Sequence, residues 1–192
     1  YKLFFCAILM VLFNLTDICF GAEKNLFVFS SKELFMPFCD EEEYEFSKSS
    51  VTYQYVPGDK PVQKFIYILP KNQLLGYEYA GVALLLTESR LKGNLSQFQS
   101  VSFEARSDGK SNIESIHVVT LKEKRNIVPF IKFGNLTTEW QKFEIPFQAF
   151  SGIQPEEWGS MGRLAFMFTK PGGMVELRNI VFSGKKITML DV

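Results

Sequence analysis

The sequence predicts an all-β protein whose strands form a two-sheet antiparallel sandwich, of jelly-roll or related topology. From Asn25 onward, apolar residues recur with period two in short runs, and turn residues separate these runs at regular intervals. No long stretch combines helical periodicity with capping residues, although residues 154–158 fit a single helical turn. The chain shows no linker, low-complexity segment or internal repeat, so we expect one domain.

Residues 1–22 are expected to be a secretory signal peptide that is removed from the mature protein. Lys2 is followed by an uninterrupted apolar run over residues 3–13, and the segment closes on small residues. This order is typical of export signals, and the run is shorter than the roughly 20 residues that a membrane-spanning helix needs. We therefore expect residues 23–192 to form the sandwich. The protein would be secreted, or periplasmic in a Gram-negative bacterium, with no integral membrane span after cleavage.

The charge and the cysteine content narrow the classes of protein further. The formal net charge is +0, which gives no electrostatic reason to expect nucleic acid as a partner. Of the 3 cysteines, only Cys39 lies outside the expected signal peptide, so no internal disulfide is expected. A hydrophobic core that draws on 20 phenylalanines must then hold the fold, with Cys39 as a small apolar filler.

The expected strands are short and follow one another closely. Residues 100–106 alternate most strictly, which places Ser102, Glu104 and Arg106 on an outer face and their neighbours in the core. Residues 78–86 are nearly all apolar, as is typical of a strand covered on both faces. The other expected strands are 25–29, 51–55, 64–69, 113–121, 127–133, 139–145, 164–169 and 174–182, with a terminal strand at 187–190.

Residues 140–150 carry much of the fold prediction. They indicate a strand that ends at Pro146, because proline cannot donate to a sheet ladder. Phe147 and Phe150 follow this strand and are expected to close one end of the sandwich. Trp140 at its start is expected to pack against the protein and not to serve as a platform for a ligand.

The residues that could carry catalysis are few. His117 is the only histidine, and no nucleophile, dinucleotide or phosphate-loop motif accompanies it. A zinc site would need mostly carboxylates, which is unusual. A paired acid and base could hydrolyse a glycoside, but the sequence does not show which carboxylates face one another. We expect no enzyme, and keep as an alternative a small glycoside-active enzyme with carboxylates drawn from Glu104, Asp108, Glu144, Glu156 and Glu157.

The acidic run from Asp40 to Glu43 is the one feature that suggests a metal. It supplies the oxygen ligands that calcium prefers, but it lacks the spacing of an EF-hand loop. We expect no cofactor, with calcium at this run as the alternative. Two sequons, at Asn94 and Asn135, lie at expected turns and matter only in a eukaryote that glycosylates.

Aromatic rings beside polar side chains point toward carbohydrate as a ligand. Sugars stack their C–H faces on aromatic rings, and neighbouring polar groups bond the hydroxyls. The candidate rings are Tyr53, Tyr55, Tyr67, Tyr77, Tyr79 and Trp158, and the candidate polar partners are Gln54, Glu104, Arg106 and His117. Because large aromatics mostly belong to cores, the outward row Ser102, Glu104 and Arg106 is the first candidate surface.

Several segments resemble a known family in the same chain order. They are YAGVALL (79–85), NLS (94–96), the strand 101–106 with SDG (107–109), WQKFEIPFQAF (140–150), LAFMF (164–168) and VELRNIVF (175–182). Together they resemble the galactose-binding-like β-sandwich of several carbohydrate-binding modules and of the complex I intermediate-associated assembly-factor family. The resemblance implies a jelly-roll sandwich with a concave glycan-binding face. Within it, Arg106 matches the arginine that ends a strand before an Asp-Gly turn in many relatives.

The sequence therefore predicts a secreted, non-catalytic, lectin-like module that binds carbohydrate. Its expected ligand site consists of Glu104, Arg106 and His117, with Tyr67 as a nearby ring for stacking. The alternative is an exported protein–protein interaction or assembly module of the same fold, with a stable protein partner and no affinity for sugar.

Overall fold

A computed structural model of the protein describes residues 26–29, 34–39, 49–69, 79–169 and 171–184. The expected signal peptide, the acidic run from Asp40 to Glu43 and the expected terminal strand at 187–190 lie outside these ranges. Within them, no helix has the length and apolar character needed to cross a membrane.

The described residues form short strands joined by turns and by single turns of 3-10 helix. The strands are β1 (Leu26–Phe29), β2 (Phe35–Cys39), β3 (Ser50–Val56), β4 (Val62–Ile68), β5 (Ala80–Leu85), β6 (Phe98–Ser107), β7 (Ile113–Thr120), β8 (Arg125–Pro129), β9 (Gln141–Pro146), β10 (Met161–Phe168) and β11 (Gly172–Gly184). The 3-10 turns include Phe130–Lys132, Phe147–Ala149 and Pro155–Gly159, and the last of these confirms the expected helical turn.

Two antiparallel sheets divide these strands between them. The first sheet has the order β3-β4-β11-β6-β9, and β1 pairs with the second half of β11. The second sheet has the order β2-β5-β10-β7-β8. We name them the β11 sheet and the β10 sheet after their central strands. Their inner faces share one buried hydrophobic cluster, which confirms the predicted all-β sandwich.

The core between the sheets is built largely from phenylalanine rings. Phe103 of β6 lies at its centre, with ring centroids 5.1 Å from Phe166, 5.7 Å from Phe143 and 6.2 Å from Phe130. Val101, Phe103 and Ala105 are all buried, which confirms the inward row expected from the alternation. Burial of each such large apolar side chain stabilises the fold by about 1.5–3 kcal/mol.

Aromatic residues close one end of the sandwich, as expected. Phe147 stacks on Trp158 with ring centroids 3.9 Å apart and planes 7° apart, and Phe150 meets the same indole edge-on. Phe147 and Phe150 are both buried, so their expected role is confirmed. Trp158, a candidate ring for sugar stacking, is also buried and is corrected to a core residue.

Two strands differ from expectation, and proline explains both differences. β2 has no predicted counterpart, because Phe35–Cys39 holds no polar residue to mark an alternation and Pro37 argues against a strand. Proline is tolerated there since β2 is an edge strand. The expected strand 127–133 ends instead at Pro129, and the chain turns into the 3-10 segment Phe130–Lys132.

Candidate functional site

The four residues expected to form one ligand site lie in three separate places. Tyr67 belongs to the core: it is 1% exposed, its ring stacks on Phe168, and its hydroxyl donates to the carbonyl oxygen of Thr169 at 2.9 Å. Its ring therefore offers no face to a ligand, and its expected role as a stacking platform is corrected. The physical reason is parity, because side chains alternate along β4 and Tyr67 falls on the inward set with Phe65.

Glu104 and Arg106 lie together on the outer face of the β11 sheet, as expected. The register of β6 with β11 sets Glu104 opposite Arg178 and Arg106 opposite Glu176. Each arginine pairs with the glutamate across from it, Arg178 at 2.6 Å and Arg106 at 2.5 Å. Asn179, at a positive φ of 51°, adds a hydrogen bond to Glu104 at 2.7 Å.

Trp140 lies over these two ion pairs. The guanidinium carbon of Arg178 is 3.9 Å from the indole centroid, and that of Arg106 is 4.7 Å from it. Burial acts to raise the pKa of the Glu104 carboxyl, but hydrogen bonds from Asn179 and Arg178 outweigh it and hold that pKa below its ordinary value. Trp140 thus packs against the protein, and the four charged groups of these two ion pairs already have partners.

The outer face of the β10 sheet has a different shape. Cross-strand pairing places one residue from each of its strands in a single row, in the order Met36, Ala83, Ala165, His117 and Ile127. Side chains in such a row share one face of the sheet. Because the two alanines in the row are short, the middle of this face is low, and the residues around it enclose a groove of about 380 Å³.

Aromatic rings form one side of this groove. Phe38 of β2 and Tyr79, just before β5, have ring centroids 6.0 Å apart, and Tyr79 is 44% exposed. The Phe38 ring lies over Gly81, where an added Cβ would be 2.9 Å from the ring carbon Cζ. Glycine at this position therefore allows Phe38 to lie low on the sheet, beside the open ring of Tyr79.

Nitrogen-bearing side chains line the groove beyond its alanine floor. His117, Arg125 and Arg163 all line it, and none of the lining residues in the described part of the chain is acidic. The Nε2 atom of His117 lies 2.9 Å from the hydroxyl of Ser115. Burial, together with the positive charge of Arg125, lowers the pKa of His117 to about 4, so the imidazole is neutral at physiological pH.

Replacing His117 with glutamine is expected to remove a pH-dependent part of the stability. The folded protein holds the pKa of His117 at about 4, against 6.5 in an ordinary environment. The unfolded chain therefore binds an extra proton between these values, and stability present above pH 6.5 is lost as pH falls toward 4. Urea unfolding of the wild type should lose about 2–3 kcal/mol more than that of the variant between pH 8 and 4.5. Equal losses in the two proteins would contradict a buried neutral imidazole.

Some residues of this groove were predicted from the sequence as ligand-binding candidates, and others were not. His117 and Tyr79 were predicted, but Phe38, Arg125 and Arg163 were not singled out. The signal for Arg163 was present, because Arg163, Ala165 and Met167 alternate along β10, but the expected strand began at residue 164 and so left Arg163 out. Phe38 lies on β2, which was not predicted because Pro37 argues against a strand.

Four of the five carboxylates considered for glycoside hydrolysis have a local partner, and Glu104, with Arg178, has been described above. Asp108 accepts backbone N–H groups from Lys110 and Ser111, Glu144 accepts the Ser100 hydroxyl, and Glu157 pairs with Lys124. Among the described residues, no group of three or more histidine, cysteine, aspartate or glutamate side chains could hold a metal ion.

No protein-family model and no curated protein sequence matches the chain. Its fold is similar to the family 11 carbohydrate-binding module from Clostridium thermocellum in complex with a β-1,3-1,4-mixed-linked tetrasaccharide. That likeness has a TM-score of 0.64 and 16% identity, and it covers 88% of this chain and 100% of that chain. A family 30 carbohydrate-binding module has a TM-score of 0.50 and 15% identity, with 73% of this chain and 75% of that chain covered.

A β-1,2-glucanase from Parabacteroides distasonis contains a similar sandwich. Its TM-score is 0.56 with 9% identity, and the match covers 78% of this chain but 23% of the glucanase. At these identities the likeness is one of fold. The chain therefore has a β-sandwich fold similar to that of these carbohydrate-binding modules.

Proposed function

We propose that the protein binds carbohydrate in the groove on the outer face of the β10 sheet. The observation that carries this proposal is an open, uncharged ring, Tyr79, beside a low floor of alanines and a set of hydrogen-bonding side chains. A sugar chain laid across the sheet could stack one ring on Tyr79 and place its hydroxyls near His117. Ligand sites of this kind combine apolar surface with a few convergent polar groups.

The outer face of the β11 sheet is less suitable for binding a sugar than the outer face of the β10 sheet. Glu104 and Arg106 are engaged by Glu176, Arg178 and Asn179, so a sugar hydroxyl would have to compete with charge-assisted hydrogen bonds. The indole that could stack a sugar, Trp140, has arginine side chains against its ring. In the groove, by contrast, Tyr79 is 44% exposed and offers an open ring to a ligand.

The proposal includes export and the absence of catalysis. Residues 1–22 support export, because a positive start precedes a short apolar run and small residues. Similar modules of known structure are described as carbohydrate-binding, which supports a binding role for this sandwich. N-terminal sequencing of protein recovered from the culture medium or the periplasm should place the new terminus near residue 23, and an uncleaved terminus would contradict export by this signal.

Tyr79→Ala is expected to weaken oligosaccharide binding by about tenfold, because the variant loses the stacking surface at the side of the groove. Titration calorimetry should be run on the best ligand from a screen of neutral and acidic oligosaccharides. Tyr79→Phe keeps the ring and should bind within about threefold of the wild type.

Tyr55→Ala is the matched control, because Tyr55 lies on β3 of the other sheet. It should leave the affinity unchanged. Binding that survives Tyr79→Ala but fails in Arg106→Ala would place the ligand on the β11 sheet. An absence of binding across the screen would contradict the proposed function.

A further inference from the structure

Two arginines stand on the same side of the groove at a fixed spacing. Val119 of β7 pairs with Arg163 of β10 on one side and with Arg125 of β8 on the other. Cross-strand partners share a face, so both guanidinium groups rise from the outer face of the β10 sheet. Neighbouring strands lie about 4.8 Å apart, which separates the two backbones by about 10 Å.

These two arginines are less neutralised than those of the opposite sheet. Arg106 and Arg178 pair with Glu176 and Glu104, whose side chains are only 7% and 23% exposed. Arg163 instead pairs at 3.0 Å with Glu123, which is 72% exposed and therefore binds it weakly. Arg125 forms no ion pair with any residue that the structure describes.

The groove is thus a local positive site on a chain whose formal net charge is +0. His117 adds no charge at neutral pH, and no described lining residue supplies a carboxylate. Arg125 stands on β8, and four strand spacings, about 19 Å, separate this strand from β2, which carries Phe38 at the other edge of the sheet. A chain crossing the groove would reach the rings at one end and the arginines at the other.

Resting on the proposed function, we propose that the groove selects acidic glycans, with Arg125 and Arg163 binding the anionic oxygens of a uronic acid or of a sulfate ester. A guanidinium group forms paired, charge-assisted hydrogen bonds with such oxyanions. The rings of Phe38 and Tyr79 then stack on the sugar rings, and the arginines bind the anionic groups of the same glycan.

Arg125→Gln is expected to weaken binding of hexagalacturonate by about tenfold, and binding of a neutral β-1,3-1,4-glucan hexasaccharide by less than about twofold. Lys142→Gln removes the same charge from β9 on the opposite sheet and should change neither affinity. Glu123→Gln should strengthen hexagalacturonate binding by about two- to threefold, since it frees Arg163. A sulfated oligosaccharide of equal length, measured beside hexagalacturonate, shows which oxyanion the arginines bind more tightly.

Salt provides a second readout that does not depend on any variant. Raising NaCl from about 50 to 500 mM should weaken hexagalacturonate binding several-fold and leave the neutral ligand unchanged, because only the charged contacts are screened. Equal affinities for acidic and neutral ligands, both insensitive to Arg125→Gln, would overturn selection for acidic glycans and leave the groove as a carbohydrate site. Failure of every oligosaccharide to bind would overturn the proposed function as well.

Discussion

Phe103→Ala is expected to lower the free energy of unfolding by about 3–5 kcal/mol. The side chain is 1% exposed and its ring meets three other phenylalanine rings within 6.2 Å, so the cavity left by alanine cannot close without moving both sheets. Denaturant unfolding followed by tryptophan fluorescence measures the loss, since Trp140 and Trp158 report on the β11 sheet and the sandwich end.

Phe133→Ala is the matched control for this substitution. Phe133 packs at the margin of the same cluster and is only partly buried, so its removal should cost about 1–2 kcal/mol. Phe103→Leu keeps most of the apolar volume and should fall between the two. A loss below about 1 kcal/mol for Phe103→Ala would contradict a core centred on this ring.

Arg106→Met is expected to destabilise the protein by about 2–4 kcal/mol. Glu176, its partner, is 6% exposed, so the substitution leaves a buried carboxylate without its cation. The same change also removes the guanidinium that stacks on Trp140.

The double variant Arg106→Met with Glu176→Leu should recover most of that loss, because no buried charge then remains. Arg163→Met is the contrasting case, since its partner Glu123 is 72% exposed and the pair should be worth less than about 1 kcal/mol. Equal losses in the Arg106 and Arg163 variants would contradict the role given to burial. Both are measured by urea unfolding at neutral pH.

The sandwich could be predicted because its signals are local. Strict alternation along residues 100–106 and the stop at Pro146 both follow from the geometry of single strands. β2 escaped prediction because Pro37 is acceptable only on an edge strand, and a sequence does not show which strands lie at an edge.

The candidate site depends on which strands become neighbours. Arg125 and Arg163 are far apart in the chain and come to share one face of the sheet only because β7 pairs with both β8 and β10. The outward direction of Glu104 and Arg106 was correctly predicted, but the ion pairs that engage them depend on the register with β11. Tyr67 was predicted wrongly for a different reason. An aromatic ring suits sugar stacking, but side chains alternate along β4 and Tyr67 lies on the side that faces the core.

Mapping amide chemical shifts during titration with an oligosaccharide shows whether carbohydrate binds in the groove of the β10 sheet, because it reports which sheet the ligand touches. Hexagalacturonate and the neutral β-1,3-1,4-glucan hexasaccharide serve as the two probes, added separately to uniformly ¹⁵N-labelled protein. We expect shifts concentrated on β2, β5, β7, β8 and β10 around Tyr79, Ala165 and His117, with β3, β4, β6 and β9 unchanged. Shifts centred on Glu104, Arg106 and Trp140, with the groove residues silent, would contradict binding in the groove.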